Sequence, residues 1–465
     1  MLNLNVQGDI LVPKNKEFYS INISFGLVLL FVISTFLLST NNALKITSIN
    51  ASAIVSILML VVFLFKGLVR GKFIITRHHL QVTLLLLLLW VALSLLISKV
   101  GLSKTIPAEA YSYSWATGLN SPAWRGVSFL SRVFLTIFAI EFIISNVNTI
   151  KKFFLVVNIT ILFYSFICFF GFLQIILFGL FKFQLGSIIV TPGYANFFRI
   201  GGYVGEPQTF GLILISGYFL LLSTAQKQYE GVWFSRSFLK SIFLLSTIVL
   251  IFTFSVSMIV SVLITAVIVI FTGGYWRKKR TILVIAICIM TFLTFYNIFN
   301  ERIITKLTHE LSTINERTIT WLIGWETIKS NLLTGIGIGQ APFVNSLYIT
   351  DTISKGFKSL LFFNVYRQPP MNSYIEFVAE TGLIGAIILV YLFYGLYKLW
   401  IKITISDNNF NRFVKYGYGM TLLALAIAAN SSSGNFYTGL FALNFSMYIV
   451  GNKFIKRDYP ILKRG

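Results

Sequence analysis

Long apolar runs separated by short polar segments repeat along the whole chain. About twelve of these runs are long enough to cross about 30 Å of hydrocarbon as helices. They cover residues 21–38, 51–65, 80–98, 127–144, 153–180, 207–223, 239–252, 255–271, 281–299, 372–397, 414–429 and 436–450. The pattern therefore predicts an all-α polytopic membrane protein with about twelve transmembrane helices.

Composition and charge agree with this fold class. Hydrophobic residues make up 56% of the chain and charged residues only 11%. The net charge of +23 does not indicate a nucleic-acid partner, because no basic patch interleaved with aromatic residues lies in a polar domain. Instead, basic residues concentrate in alternate polar segments such as residues 277–280. The positive-inside rule then predicts that both termini are cytoplasmic. The apolar runs predict that membrane lipids surround the chain.

This orientation places most of the irregular polar sequence on the outer face. Residues 1–299 are predicted to form an N-terminal transmembrane bundle of about nine spans. Residues 300–371 are predicted to form a large helical extracytoplasmic cap between the ninth and tenth spans. Residues 372–465 are predicted to supply the C-terminal transmembrane helices and a basic cytoplasmic tail. The active part of the molecule is therefore expected outside the cytoplasm.

The segment from Arg199 to Gly211 combines an arginine, a glutamate and four glycines at the start of a predicted span. Charge in such a position usually marks a functional site. Arg199 is a candidate anion-binding residue, because a guanidinium binds phosphate oxygens bidentately and stays charged at any working pH. Glu206 is the only carboxylate beside it.

The predicted cap contains a second candidate arginine, Arg317. Residues 313–316 have the spacing of a capping box, and an apolar stripe follows at helical intervals through Trp321, Trp325, Ile328 and Leu332. An amphipathic helix is expected here, with Arg317 projecting near the membrane surface towards a lipid-linked phosphate. The alternative is an interfacial arginine beside an aromatic belt. The glycine-rich residues 334–339 predict a tight turn with exposed N–H groups.

Charged and polar residues also fall inside two predicted spans. Asn372, Glu376 and Glu380 lie on one helical face at four-residue spacing, so they are expected to face protein or water. Interhelical hydrogen bonding is the alternative to a chemical role for the two glutamates. Arg132 and Glu141 in the fourth span are expected to be structural partners or to line a cavity.

No metal or other cofactor is expected. The outer segments contain one aspartate, Asp351, and no closely spaced acidic pair of the kind that holds a divalent cation. Both cysteines, Cys168 and Cys288, lie inside apolar runs and are interpreted as core thiols.

In order and spacing, these motifs resemble the O-antigen ligase and O-antigen polymerase superfamily of bacterial glycan-assembly proteins. Four features carry the resemblance: Arg199 with Gly201, Gly202 and Glu206-Pro207; Arg317 with Trp321; the glycine turn at 334–339; and Met371-Asn372 followed by residues 382–385. The first two are similar to the superfamily's two arginine motifs, the third to the turn after the second arginine, and the last to the ligases' histidine motif.

Two departures from the ligase pattern favour the polymerase branch. Met371 stands where the ligases have histidine, and Trp321 stands where they have leucine. The first is the more serious difference, because a thioether cannot accept a proton in place of an imidazole.

The resemblance implies a metal-independent glycosyltransferase in the bacterial cytoplasmic membrane, with its active site facing the periplasm or cell exterior. It would polymerise undecaprenyl-pyrophosphate-linked repeat units of O-antigen, capsule or exopolysaccharide, with a chain-length regulator and a flippase as further partners. Arg199, Arg317 and Glu206 would be catalytic, with the two arginines binding the pyrophosphate and Glu206 acting as the base near the acceptor hydroxyl. A neutral carboxylate in a structural turn is the alternative for Glu206, and His309 is then the second candidate base. Substrate binding is assigned to Gly201, Gly202, Trp321, Gly337, Asn372 and Arg367. The alternatives are an O-antigen ligase acting on lipid A–core and a lipid-linked glycan flippase or transporter.

Overall fold

The computed structural model describes most, but not all, of the predicted spans. The described residues are 23–37, 51–70, 78, 80–98, 121–186, 188–190, 198–204, 206–226, 229, 231–272, 317–356, 370–403, 409–431 and 438–456. The predicted span at 281–299, His309, Arg367 and both chain ends lie outside these residues, so the predictions made for them stay predictions.

The described chain is built almost entirely of helices. Its first part contains α1 (Ile23–Leu37), α2 (Ala51–Arg70), α3 (Gln81–Ile97), α4 (Pro122–Asn146), α5 (Ile150–Phe181), α6 (Pro207–Gln226), α7 (Arg236–Phe252) and α8 (Val256–Thr272). Its second part contains α9 (317–330), α10 (Ala341–Val344), α11 (Asp351–Gly356), α12 (Ser373–Lys402), α13 (Asn409–Arg412), α14 (Met420–Ala428) and α15 (Gly439–Lys456). A π-helical segment, Phe413–Gly419, joins α13 to α14, and 3₁₀ turns occupy Asn345–Tyr348 and Ala429–Ser431.

Five of the described helices are long and apolar enough to cross a membrane. They are Ser52–Val69 within α2, Pro122–Asn146, Ile150–Phe181, Pro207–Gln226 and Ser373–Lys402, and three shorter apolar helices accompany them. These helices are consistent with the predicted all-α membrane protein. The number of twelve spans, the side of the termini and the place of the cap stay predictions.

A short antiparallel hairpin departs from the all-α prediction. Strand β1 (Ile188–Val190) pairs with β2 (Phe198–Ile200), so that Ile189 lies opposite Arg199. Each strand has only three residues, which is too short for the alternating pattern by which a strand is recognised in a sequence. The hairpin matters for the site, because it carries Arg199.

Helix α6 is the central helix of the described bundle. In an 18-residue stretch of α6, 83% of the residues are buried, against 22–44% in the corresponding stretches of the four other candidate spans. Neighbouring helices approach it closely at glycines: a Cβ atom added to Gly217 would lie 2.3 Å from the ring of Tyr164 on α5. The Tyr164 hydroxyl also donates a hydrogen bond to the carbonyl oxygen of Leu214 at 2.6 Å. The position of α6 is therefore defined by packing on all sides.

Helix α12 is broken at Gly382, which has φ 67° and ψ −169°. This backbone region is essentially restricted to glycine. Residues 383–402 after the break form about 30 Å of helix, which by itself matches the thickness of the hydrocarbon core. The break therefore separates the first ten residues of the predicted span, 372–381, from a segment long enough to cross alone.

The turn that follows α9 packs its backbone against this break. Three N–H groups donate to carbonyl oxygens across the junction: Leu383 to Leu332 at 2.7 Å, Ile336 to Ala379 at 3.0 Å and Gly337 to Glu380 at 2.8 Å. The indole Nε1 of Trp90 on α3 donates to the carbonyl oxygen of Thr381 at 2.7 Å. Backbone groups freed by the break thus find partners inside the protein, as an apolar environment requires.

Candidate functional site

The amino-terminal end of α6 carries the predicted Glu206-Pro207 motif. The carbonyl oxygen of Glu206 accepts the first helical hydrogen bond, from the Phe210 N–H at 3.0 Å. Its carboxylate is exposed and accepts a hydrogen bond from the Thr209 hydroxyl at 2.7 Å. Helix geometry leaves the N–H groups of Gln208 and Thr209 without a carbonyl partner in the helix. This end of α6 therefore combines an accessible carboxylate with the positive end of a helix dipole.

The structure brings Arg317 to the same end of α6. Arg317 begins the described part of α9, and its Nη2 lies 3.5 Å from the side-chain oxygen of Gln208, the long limit for a hydrogen bond. The Nε atom of Arg317 is buried and has no hydrogen-bond partner among the described residues. Two of the three predicted catalytic residues, 111 positions apart in the sequence, are thus associated with the first turn of one helix.

Arg199 is held beside the same helix by a different segment. Its Nε donates to the carbonyl oxygen of Thr253 at 3.2 Å, in the turn between α7 and α8. This turn packs on α6, because a Cβ atom added to Gly211 would lie 3.6 Å from the Cβ of Ser255. Arg199 is half-buried. The two predicted arginines are therefore carried by segments that both contact the first half of α6.

Gly201 and Gly202 are buried where the hairpin closes on α6. A Cβ atom added to Gly202 would lie 2.4 Å from the ring of Phe210, and the Gly202 carbonyl oxygen accepts a hydrogen bond from Gln174 at 3.1 Å. This close packing explains why position 202 is occupied by glycine, which has no Cβ atom. The assignment of both glycines to substrate binding stays a prediction.

The face of α9 that carries Trp321 is exposed. Trp321, Leu322 and Trp325 are 37%, 39% and 54% exposed, whereas Ile319 and Ile323 on the opposite face are buried. One member of the predicted stripe differs from the others, because Ile328 is buried whereas Leu332 is exposed. Four-residue spacing alone did not define which apolar residues face the protein. The exposed tryptophans begin one turn after Arg317.

The glycine turn differs from its prediction in the use of its N–H groups. Residues 334–339 form a tight turn in which Gly335, Gly337 and Gly339 have positive φ, as expected. The N–H groups of Ile336 and Gly337 are not exposed, however, because they donate to the carbonyl oxygens of α12. The N–H group of Gly337 is therefore already used within the protein, and the substrate-binding role of Gly337 stays a prediction.

Asn372 caps the start of α12. Its side-chain oxygen accepts hydrogen bonds from the N–H groups of Tyr374 at 2.9 Å and Ile375 at 3.2 Å. This is the usual arrangement of an asparagine N-cap. The side-chain oxygen of Asn372 thus accepts hydrogen bonds from the protein itself. Its assignment to substrate binding stays a prediction.

We expect Asn372→Ala to lower the free energy of unfolding by about 1 kcal/mol, the usual effect of losing an N-cap. Serine also caps helices, so Asn372→Ser should keep both stability and glycan transfer close to wild type. Thermal unfolding in detergent and initial transfer rates, measured on the same preparations, test this. A serine variant with wild-type stability but no transfer would contradict a purely capping role.

Buried charges connect α4 to α12. The guanidinium groups of Arg125 and Arg132 each lie 5.1 Å from the ring centroid of Phe129, between them on the same face of α4. Arg125 interacts electrostatically with Glu380 and Glu376, and Arg132 with Glu376. Both glutamates are buried. The cluster thus brings two arginines of α4 together with two glutamates of α12, an arrangement that can join the helices.

Glu380 also holds the segment that follows the glycine turn. One oxygen of its carboxylate accepts a hydrogen bond from the Ala341 N–H at 3.3 Å. The structural interpretation of Glu376 and Glu380 is therefore favoured over a chemical one. Glu141 in the predicted fourth span pairs with His78 at 2.8 Å, which gives it a structural partner other than Arg132.

Gln208 and Ser431 are site residues that the sequence analysis missed. The side-chain nitrogen of Gln208 donates to the carbonyl oxygen of Ser431, in the 3₁₀ turn after α14. The polar run at 430–433, between two predicted spans, was the available signal. No group of three or more His, Cys, Asp or Glu side chains arranged to hold a metal ion occurs within the described ranges.

A comparison with family models bears on the segment that contains Arg317. Residues 241–390 match the model described as O-antigen ligase. The match supports the O-antigen polymerase and ligase superfamily. The matched part of the chain includes α9, the glycine turn and the broken start of α12, whereas Arg199 and Glu206 precede it. No curated protein matches the chain.

The superfamily match agrees with the resemblance inferred from the motifs. It supports a glycan-transferring membrane protein of the type that assembles bacterial polysaccharide or lipopolysaccharide. The superfamily includes both polymerases and ligases, so the match does not separate these two activities.

Proposed function

We propose that the protein is a glycosyltransferase that polymerises polyprenyl-pyrophosphate-linked repeat units on the outer side of the cytoplasmic membrane. The observation that carries the proposal is the position of Arg317, with a buried Nε and without a carboxylate partner among the described contacts, at the amino-terminal end of α6. A guanidinium so placed is available to an anionic ligand.

The proposed reaction joins the reducing end of one glycan to a hydroxyl of another. The bond between the anomeric carbon and the pyrophosphate oxygen breaks, and the pyrophosphate leaves with the electron pair. The acceptor oxygen forms the new bond to the anomeric carbon, and its proton passes to a base. Negative charge therefore grows on the leaving group, where fixed cations and helix N–H groups stabilise the transition state.

Arg317 and Arg199 are proposed to bind the pyrophosphate. Both are carried by segments that pack on the first half of α6, and α6 points its positive end towards this region. Trp321 lies one turn from Arg317 and is proposed to contact the sugar next to the phosphate.

Glu206 is proposed as the base that accepts the acceptor's proton. Its carboxylate is exposed at the start of α6, where an acceptor hydroxyl can approach it, and the Thr209 hydroxyl orients one of its oxygens. The superfamily's ligases have a histidine at the position of Met371, by the resemblance drawn above, and this chain therefore requires a different base.

We expect Glu206→Gln to lower the rate of transfer about 10²–10⁴-fold, the usual contribution of a general base, with donor KM nearly unchanged. Initial rates on a defined lipid-linked donor measure both quantities. Glu326→Gln is the matched control, because Glu326 is a carboxylate on α9 paired with Lys329. A wild-type rate for Glu206→Gln, with loss of transfer in His309→Ala, would assign the base to His309 instead.

The activity itself is tested by reconstitution with polyprenyl-pyrophosphate-linked repeat units, with and without a lipid A–core acceptor. A ladder of lengthened lipid-linked glycans is the expected result. Transfer only to lipid A–core would make the protein a ligase, the activity in the description of the matching family model. Movement of labelled substrate across the bilayer without any new glycosidic bond would instead favour the flippase alternative.

A further inference from the structure

The side chain of Gln208 joins three segments that are distant in the sequence. It extends from the first turn of α6, its oxygen faces Arg317 at the start of α9, and its nitrogen donates to the carbonyl oxygen of Ser431 after α14. The Ser431 hydroxyl lies 3.5 Å from the same nitrogen. An amide has one acceptor end and one donor end, so these contacts determine which end of the side chain faces the guanidinium.

The anchor on the Ser431 side is itself held in place. The Ser431 hydroxyl donates to the carbonyl oxygen of Ala428 at 2.9 Å, which closes the 3₁₀ turn. The Tyr374 hydroxyl at the start of α12 donates to the carbonyl oxygen of Ala426 at 2.7 Å, which ties α14 to α12. Gln208 is therefore restrained by a backbone oxygen in a packed turn, and it can transmit that restraint to Arg317.

The chemistry of glutamine suits this position. Its neutral oxygen accepts a hydrogen bond from the guanidinium without neutralising the positive charge. A carboxylate at the same place would form an ion pair with Arg317 and compete with a phosphate ligand for the same N–H groups. The contact uses Nη2, and the described contacts include no hydrogen bond from Nη1, so terminal N–H groups of the half-buried Arg317 are left for a ligand.

We propose that Gln208 is a positioning residue that holds the guanidinium of Arg317 in the orientation that binds pyrophosphate. The proposal rests on the function proposed above. In this arrangement Gln208 acts through Arg317 and does not itself contact the reacting atoms. Its effect should consequently disappear when the guanidinium is absent, which distinguishes positioning from direct binding.

The test measures the binding of inorganic pyrophosphate to the full-length protein in detergent by calorimetry. We expect Gln208→Ala to weaken binding about fivefold in the otherwise native protein and less than twofold in the Arg317→Ala background. Gln208→Glu should weaken binding more than tenfold, because its carboxylate pairs with Arg317. Gln226→Ala is the matched control and should bind as wild type, because Gln226 is an exposed glutamine at the opposite end of α6.

Transfer kinetics provide a second test, because a residue with only a structural role would not produce the following changes in KM and kcat. We expect a higher donor KM for Gln208→Glu and a lower kcat for Gln208→Ala, at wild-type thermal unfolding temperatures. Wild-type pyrophosphate binding by both variants would overturn the proposal, and so would an equal loss in the two Arg317 backgrounds. Failure of the proposed function would give different results from failure of the positioning proposal. In that case the wild type would bind pyrophosphate but form no glycan product, or Arg317→Ala would retain full transfer.

Discussion

Replacing Arg317 with alanine should lower glycan transfer about 10²–10³-fold, the usual effect of removing one preorganised group that stabilises developing negative charge. Arg317 lies at the amino-terminal end of α6 with its Nη2 against Gln208 and its Nε buried. Its loss removes the cation closest to Gln208 among the described contacts, where we place the leaving pyrophosphate. The rate of product formation from a lipid-linked donor is the measurement.

Two further variants make this result specific. Arg317→Lys keeps the charge but loses the planar fork of donors, so it should recover only part of the activity. Lys329→Ala removes a cation from the same helix where it is exposed and paired with Glu326, and it should transfer at the wild-type rate. Equal rates for the wild type and Arg317→Ala would remove Arg317 from the mechanism and leave the site without its main cation.

Replacing Gly382 with alanine should lower the free energy of unfolding by about 4 kcal/mol or prevent folding. Two effects add: the backbone conformation at Gly382 costs a residue with a Cβ atom about 1–3 kcal/mol, and that atom would lie 2.3 Å from the carbonyl oxygen of Leu333. The clash involves backbone atoms on both sides, so neither side chain can relieve it by changing rotamer. Retention volume and thermal unfolding in detergent measure the loss.

The facing glycine of the junction should behave in the same way. A Cβ atom added to Gly335 would lie 2.4 Å from the carbonyl carbon of Glu380, and Gly335 has φ 68°. Gly356→Ala is the matched control, because a Cβ atom at this position of α11 has no neighbour within 4 Å. Wild-type thermal stability of the Gly382→Ala protein would contradict this prediction. It would mean that the backbone at the start of α12 can shift to make room for the Cβ atom.

The junction at Gly382 was only partly predictable. The sequence indicated a tight glycine turn at 334–339 and a continuous span from 372. The turn occurs, whereas the helix that begins at Ser373 is broken at Gly382. The sequence did not indicate that the turn and the helix meet. The hydrogen-bond partners of the backbone groups at a helix break come from another segment, and the local sequence does not specify that segment. The N–H groups predicted to be exposed are therefore used inside the protein.

The site was predictable to a similar extent. Arg199, Glu206 and Arg317 were selected because charged residues beside apolar spans usually mark functional sites, and because their motifs resemble those of the superfamily. The association of Arg317 with the first turn of α6 required the structure, since Gln208 and Arg317 are 109 residues apart and nothing in either local sequence specifies the contact. Gln208 and Ser431 were missed for the same reason, because an isolated glutamine or serine carries no pattern.

Local sequence by itself determined the helical class, the apolar segments and the residue types that can bind a phosphate. It did so because the transfer of a side chain into hydrocarbon, and the spacing of side chains along a helix, are properties of each segment alone. The tertiary structure decided which helix is central, which face of α9 is buried, and which buried polar groups are partners. These depend on packing and hydrogen bonds between distant segments, and each donor or acceptor is satisfied only by what the folded chain places beside it.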